Sequence, residues 1–170
     1  ADTQTAGGDQ VLSVVAEAEI KTLVPWMASE NQTFLVLNQA QEGLFRMDKD
    51  NIPQPALCEK FELSEDKLNY TFHLRDAKWS NGEPVKAEDF VFAWLKQMSA
   101  DAGNGYSFIM TDYIVNGEEY NAGTAKAEDV AVKAVDDKTL EVSLKSPTPY
   151  FLNLTTMTMF FPVNEKFYNE

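Results

Sequence analysis

The chain has one cysteine and one histidine in 170 residues. A single thiol, Cys58, forms no disulfide within the chain. A single imidazole, His73, cannot furnish the multi-histidine ligand set of a conventional zinc site. Long apolar runs are also missing. A membrane-spanning helix needs roughly 18–20 consecutive apolar residues, whereas the most apolar stretch, 151–163, is broken by Asn153, three threonines and Pro162. Basic residues are scarce, 14 against 27 acidic, giving a formal charge of −13. A field of that sign repels phosphodiester backbones and anionic lipid heads, so nucleic acid is excluded as a partner. Its ordinary consequence is solubility; attraction of cationic ligands would require an acidic cleft that linear order does not display. The eight glycines are dispersed, with neither a phosphate-binding loop nor a dinucleotide fingerprint.

What is present is a folding composition, 44% hydrophobic and 12% aromatic, too apolar for disorder. The length suits one domain, or one lobe plus a piece of another. Residues 1–10 lack the charged and apolar regions of a signal peptide and read as a flexible polar leader, of the kind that separates an anchor or a tag from a folded body.

The periodicities predict an α+β chain. Val11–Ala16 is a β-branched run of strand length, and Pro25 biases Val24 to an extended or turning backbone. Phe34, Leu35, Leu37 and Ala40 have helical spacing across Thr33–Glu42, with Gly43 available to end the helix. Leu44–Met47 is a short strand closed by the turn Asp48–Asn51, and Pro53 and Pro55 rule out a central strand after it. Phe61–Leu63 and Tyr70–Leu74 flank a polar turn as a hairpin, with Tyr70, Phe72 and Leu74 on one face. Asn81-Gly82 tips a turn, and Ala87–Met98 is a helix with Glu88 and Asp89 in its first turn. Phe90, Val91, Trp94, Leu95 and Met98 form its buried stripe. Asp101–Gly105 is a loop, and Val115–Asn121 is a short helix ended by Gly123. Val130–Val135 and Thr139–Leu144 pair across Asp136-Asp137. Pro147 and Pro149 open a helical piece running to Leu154.

No constellation of catalytic residues emerges. His73 lies on an alternating strand, and a Cys58–His73 nucleophile pair lacks any sign of an orienting third group. Cys58, following Ala56-Leu57, reads as a small buried hydrophobe. Asp136-Asp137 is a turn rather than an acid–base dyad, because neighbouring residues on a strand point apart. Asp48–Asn51 has the start of a calcium loop, but Pro53 holds the sixth position, where glycine is needed, and Glu59 is a twelfth-position glutamate by count alone. The expectation is a non-enzyme, with no catalytic residues, no metal site and no cofactor. Trp26, Tyr106, Phe108, Tyr113, Tyr150 and Phe151 fall in or beside loops, where aromatics serve either as core or as walls of an adaptable pocket.

The segment Tyr70–Phe92, YTFHLRDAKWSNGEPVKAEDFVF, resembles the signature of the bacterial extracellular solute-binding family 5, which includes oligopeptide-binding proteins. The flanking motifs Glu42-Gly43-Leu44-Phe45, Pro55-Ala56-Leu57-Cys58-Glu59 (Cys58 replacing alanine), Val132–Val142 and Pro147-Thr148-Pro149-Tyr150-Phe151 agree in order and spacing. The physical roles expected of the signature are structural: Trp79 packs on the Ala87–Met98 helix, Pro84 fixes the approach to it, and Arg75 pairs with Asp76, Asp89 or a carbonyl.

The resemblance implies part of a periplasmic-binding-protein type II-like lobe with an inserted antiparallel α+β subdomain. It places 11–41 at the start of the ligand-facing lobe, 42–160 in the extra subdomain and 161–170 in the return to the first lobe. It implies the substrate-binding component of a peptide ABC importer, extracytoplasmic, monomeric, anchored as a lipoprotein upstream of residue 1, with a peptide and the transporter permease as partners. By position, Ala28–Asn31, chiefly Ser29 and Asn31, together with Tyr106, would face the ligand. Ser29 stands where an acidic residue of relatives can pair with a peptide's amino terminus. Other solutes (a nickel chelate, haem, a sugar, a signalling peptide) and a non-binding structural or interaction role remain alternatives.

Overall fold

The computed structural model describes Ser13, Val15 and residues 18–103 and 105–170. The strand expected over Val11–Ala16 falls largely outside these residues. The chain is α+β, as its periodicities predict. Pro25–Met27 forms a 3-10 turn, followed by helix α1 (Asn31–Ala40). Strands β1 (Phe45–Met47) and β2 (Pro53–Pro55) make a two-stranded antiparallel ladder. The prolines are tolerated because β2 pairs with β1 alone and donates to no second neighbour.

The main sheet has the order β3-β4-β6-β5, all antiparallel, from β3 (Cys58–Leu63), β4 (Asn69–Leu74), β5 (Val132–Asp136) and β6 (Thr139–Ser143). Both expected hairpins are present, and a bulge lies between Cys58 and Lys60. On β4 the alternation holds: Tyr70, Phe72 and Leu74 are buried while Asn69 is exposed. Tyr70 and Phe72 stack at 5.5 Å, and Phe45 and Phe151 close on them from either side.

Helix α2 (Ala87–Met98) has the predicted bounds and packs on β5 and β6. Phe90, Trp94 and Met98 are fully buried and Val91 is 9% exposed, whereas Leu95 is only half-buried at the stripe's margin. Each fully buried side chain of this size contributes about 1.5–3 kcal/mol relative to exposure. The turn joining β5 to β6 completes the helix's start. Ala87 N–H donates to the Asp137 carbonyl at 2.9 Å, satisfying one orphan donor of the first turn. Lys138 Nζ reaches the Arg75 and Val85 carbonyls, and Leu74 N–H donates to the Lys138 carbonyl. Asp136 closes the hairpin turn itself, accepting from Lys138 N and Thr139 Oγ1.

Short helices α3 (Phe108–Thr111), α4 (Gly117–Asn121), α5 (Phe151–Leu154) and α6 (Glu165–Asn169) complete the chain. Gly123 follows α4 at φ +73°, the left-handed conformation expected of a helix stop. Gly43 does something other than expected. Helix α1 ends at Ala40, and Gly43 lies where a Cβ would stand 2.8 Å from both Phe161 Cδ1 and the Thr155 carbonyl oxygen. The glycine is required by the close approach of 155–161 to the start of β1.

Candidate functional site

The 3-10 turn Pro25–Met27 controls where the residues after it are presented. Pro25 supplies the fixed φ of a first helical position, and the turn closes through Met27 N–H to the Val24 carbonyl at 3.0 Å. Trp26 is buried, meeting Phe92 of α2 edge-on at 5.9 Å and Tyr168 of α6 at 5.0 Å. With Trp26 anchored and Ala28 buried, Ser29 and Asn31 stand together on an exposed corner at the foot of α1. Beside them Glu30 forms an ion pair with Lys21.

Tyr106 sits on a different element, the loop between α2 and α3. It is half-buried, its ring 6.3 Å from that of Phe108, and its carbonyl accepts from Ile109 N–H at the start of α3. A cavity of about 510 Å³ lies beside the Pro25–Met27 turn, lined by Trp26, Met27, Phe92, Lys96, Ala102 and Tyr168 among others, and Ser29, Asn31 and Tyr106 are not in its lining. Of the other loop aromatics, Trp26 and Phe151 are core. Phe108 and Tyr150 are half in water, and the Tyr150 and Tyr113 hydroxyls lie 3.4 Å apart.

A second concavity, of about 860 Å³, includes Arg75 and Trp79 in its wall. Both side chains have structural partners. Arg75 Nε donates to the Ala56 carbonyl at 2.6 Å, Nη1 to the Asp76 carbonyl at 3.2 Å, and Nη2 to Glu42 Oε2 at 2.7 Å. Of the three partners expected, the carbonyl is the one realised, supplemented by Glu42, which sequence reasoning did not offer. Asp89 instead takes the Trp79 indole N–H at 3.0 Å and the Lys86 backbone N–H at 2.9 Å. The second of these is the return bond of a capping box. Burial pushes the Asp89 carboxyl above its ordinary value, against the hydrogen bonds that would lower it.

The groups considered for chemistry are committed elsewhere. Burial pushes the Cys58 thiol up to about 11, so it stays protonated at neutral pH and is a poor nucleophile. It donates to the Lys60 carbonyl, and His73 approaches it through its backbone N–H while the His73 ring faces Glu62. Asp48 uses its carboxylate on the N–H groups of Asp50 and Ile52 and the amide of Gln54, as a turn cap rather than a cation ligand. Among the described residues, no group of three or more His, Cys, Asp or Glu side chains is placed to hold a metal. No helix among them is long and apolar enough to cross a membrane.

Comparison with known proteins places this geometry in context. The dipeptide-binding protein DppE of Bacillus subtilis is 42% identical over 166 residues, an alignment covering 97% of this chain and 30% of DppE. The probable deoxycholate-binding periplasmic protein YgiS of Escherichia coli is 35% identical, over 86% of this chain and 27% of YgiS. The structure of Listeria monocytogenes OppA bound to peptide superposes with a TM-score of 0.91 at 43% identity, covering 95% of this chain and 32% of that one. The chain therefore spans about three tenths of the length of the relatives it matches. Residues 53–170 match the profile of the bacterial extracellular solute-binding proteins, family 5 Middle, and the chain belongs to that family.

Proposed function

We propose that this chain is the N-terminal part of a substrate-binding component that captures oligopeptides and delivers them to the permease of an ABC importer. The observation that carries the reading is the superposition, at a TM-score of 0.91 and 43% identity, on an OppA bound to peptide. Residues 11–41 supply the start of the ligand-facing lobe, 42–160 the supporting subdomain, and 161–170 the return to the first lobe. Ser29, Asn31 and Tyr106 contribute the ligand contacts. Exposure of Ser29 and Asn31 supports this assignment. The protein works outside the cytoplasm as a monomer held by a lipid anchor, and it performs no catalysis.

Peptides are held in such a site chiefly through backbone hydrogen bonds, with side chains in wet, permissive pockets. Closure of two lobes then encloses the ligand. The 170 residues supply one side of that enclosure, so calorimetry with a mixed peptide library should detect weak binding or none by this chain. A micromolar saturable isotherm would contradict the arrangement. The complete protein should yield peptides in mass spectra of co-purified material. Recovery of a bile acid in their place would favour a second reading, suggested by the 35% identity to YgiS.

A further inference from the structure

The loop of the signature carries a carboxylate whose main partners lie outside its own turn, with the Asn81 side chain a lesser one within it. Glu83 follows Asn81-Gly82, and the turn closes without its side chain: Gly82 N–H donates to the Trp79 carbonyl, Trp79 N–H to the Glu83 carbonyl, and Glu83 N–H to Asn81 Oδ1. The Glu83 carboxylate reaches across to α6. Oε2 accepts from Asn164 Nδ2 at 3.0 Å, and Oε1 from Lys166 Nζ at 2.6 Å. Asn164 has a second task, since its Oδ1 accepts from Phe167 N–H at 3.0 Å and so caps α6. One carboxylate thus engages both the cap residue and the first turn of a five-residue helix, too short to persist alone. Hydrogen bonds from Lys166 and Asn164 hold the Glu83 carboxyl below its ordinary value, so it is ionised at neutral pH.

What α6 carries is the Tyr168 ring, which closes on Trp26 at 5.0 Å and on Phe92 at 5.6 Å. Trp26 lies in the turn that leads directly into Ala28–Asn31. Helix α6 has further ties to Asp89: Val163 N–H donates to its carbonyl at 3.3 Å before the helix begins, and the Glu165 backbone N–H, in the first turn, donates to its carboxylate. A continuous set of contacts therefore runs from Glu83 through Asn164 and Lys166 to Tyr168, then to Trp26 and the exposed corner.

We propose that Glu83 is a positioning residue, a latch that sets the placement of Ser29 and Asn31 by clamping α6 so that Tyr168 holds Trp26. The proposal rests on the reading of that corner as peptide-facing. Glu83 touches no ligand; it acts through α6.

The test uses the uniformly 15N-labelled 170-residue chain carrying Glu83→Gln, and separately Lys166→Ala, which opens the same latch from the other side. The expected result is that both variants shift the Trp26 indole and the Ser29 and Asn31 amides, and that amide exchange at Phe167 and Tyr168 becomes roughly fivefold faster, as befits an exposed ion pair that gates local opening. Amides of β5 and β6 stay in place. The charge-exchanged double variant, Glu83→Lys with Lys166→Glu, restores the ion pair but not the acceptor for Asn164, and should return the Trp26 and Ser29 signals part of the way. Shifts confined to 83, 164 and 166 would overturn the proposal, as would shifts spread evenly through the sheet. A parallel titration of the complete protein with mixed peptides, following the same Ser29 and Asn31 signals, separates the two readings. If the variants move Ser29 and Asn31 but peptide does not, the coupling stands and the peptide assignment of that corner falls.

Discussion

The Trp79 indole N–H lies 3.0 Å from Asp89 Oδ2, joining the turn of the signature to the first turn of the helix that follows it. The same oxygen accepts from Lys86 N–H, so one carboxylate atom fixes the turn, the helix cap and the angle between them. Asp89 is 9% exposed, and burial raises its pKa.

A carboxyl whose folded pKa is raised binds more protons folded than unfolded, so its ionisation lowers stability as pH rises through the unfolded value toward the folded one. Asp89→Asn keeps an acceptor for Trp79 and Lys86 without a buried charge. It should change stability little at pH 7 and flatten the loss that sets in as pH rises above the ordinary aspartate value of about 4. Asp89→Ala removes both bonds and should cost about 1–3 kcal/mol. Urea unfolding midpoints of the two variants across pH check both outcomes.

Cys58 gives the corresponding effect at alkaline pH. Its folded value, about 11, exceeds the ordinary thiol value of 9.0 because the thiolate would be desolvated. Stability should therefore fall as pH rises from about 9 to 11, by an amount on the order of 2 kcal/mol for this site. Cys58→Ala, the residue of the family pattern, should abolish that component. A folded chain at pH 8 should also resist thiol-reactive dyes until denatured.

Gly43→Ala places a methyl group 2.8 Å from a backbone oxygen, that of Thr155, and from the Phe161 ring. A backbone neighbour cannot step aside cheaply, so the variant should lose about 1–3 kcal/mol, as overpacked sites do. Thermal unfolding would show it as a lowered Tm. An unchanged Tm would mean that 155–161 shifts freely.

Arg75 distinguishes geometry from charge. Its guanidinium serves the Ala56 carbonyl and Glu42 from different nitrogens. Lysine keeps the charge but cannot fork, so Arg75→Lys should cost on the order of 1 kcal/mol. A double-mutant cycle with Glu42→Gln should return a coupling that Arg75→Lys has largely lost.

Local chemistry made α2 and the two hairpins readable. An apolar stripe at helical spacing behind Glu88 and Asp89 marks a helix start, and two β-branched or aromatic runs about a polar turn mark a hairpin. Helix α1 begins at Asn31, two residues before the expected start, because the first residues of a helix carry no apolar signal of their own. Gly43, and the pairing of Arg75 with Glu42 and Ala56, were illegible for a different reason. Each depends on a partner far along the chain, and periodicity has no memory at that range. Ser29, Asn31 and Tyr106 have no local mark either; they enter through the family resemblance, and their proposed role in binding follows from it. Helix α6 was unforeseen because so short an element is fixed by what it touches.

The turn between β5 and β6 has a consequence for the order in which the molecule assembles. The acceptor for Ala87 N–H and the partner for Leu74 N–H both come from Asp137 and Lys138, residues synthesised well after α2 is complete. A nascent chain that ends at Met98 has a helix without that acceptor and a strand β4 flanked on one side only, with Phe72 and Phe90 uncovered. Closing so long a loop must precede the contacts that reward it, which slows folding and makes the whole unit form together. Until that second hairpin emerges, the most recognisable stretch of the sequence is also an exposed apolar surface, and it is there that a chaperone would bind.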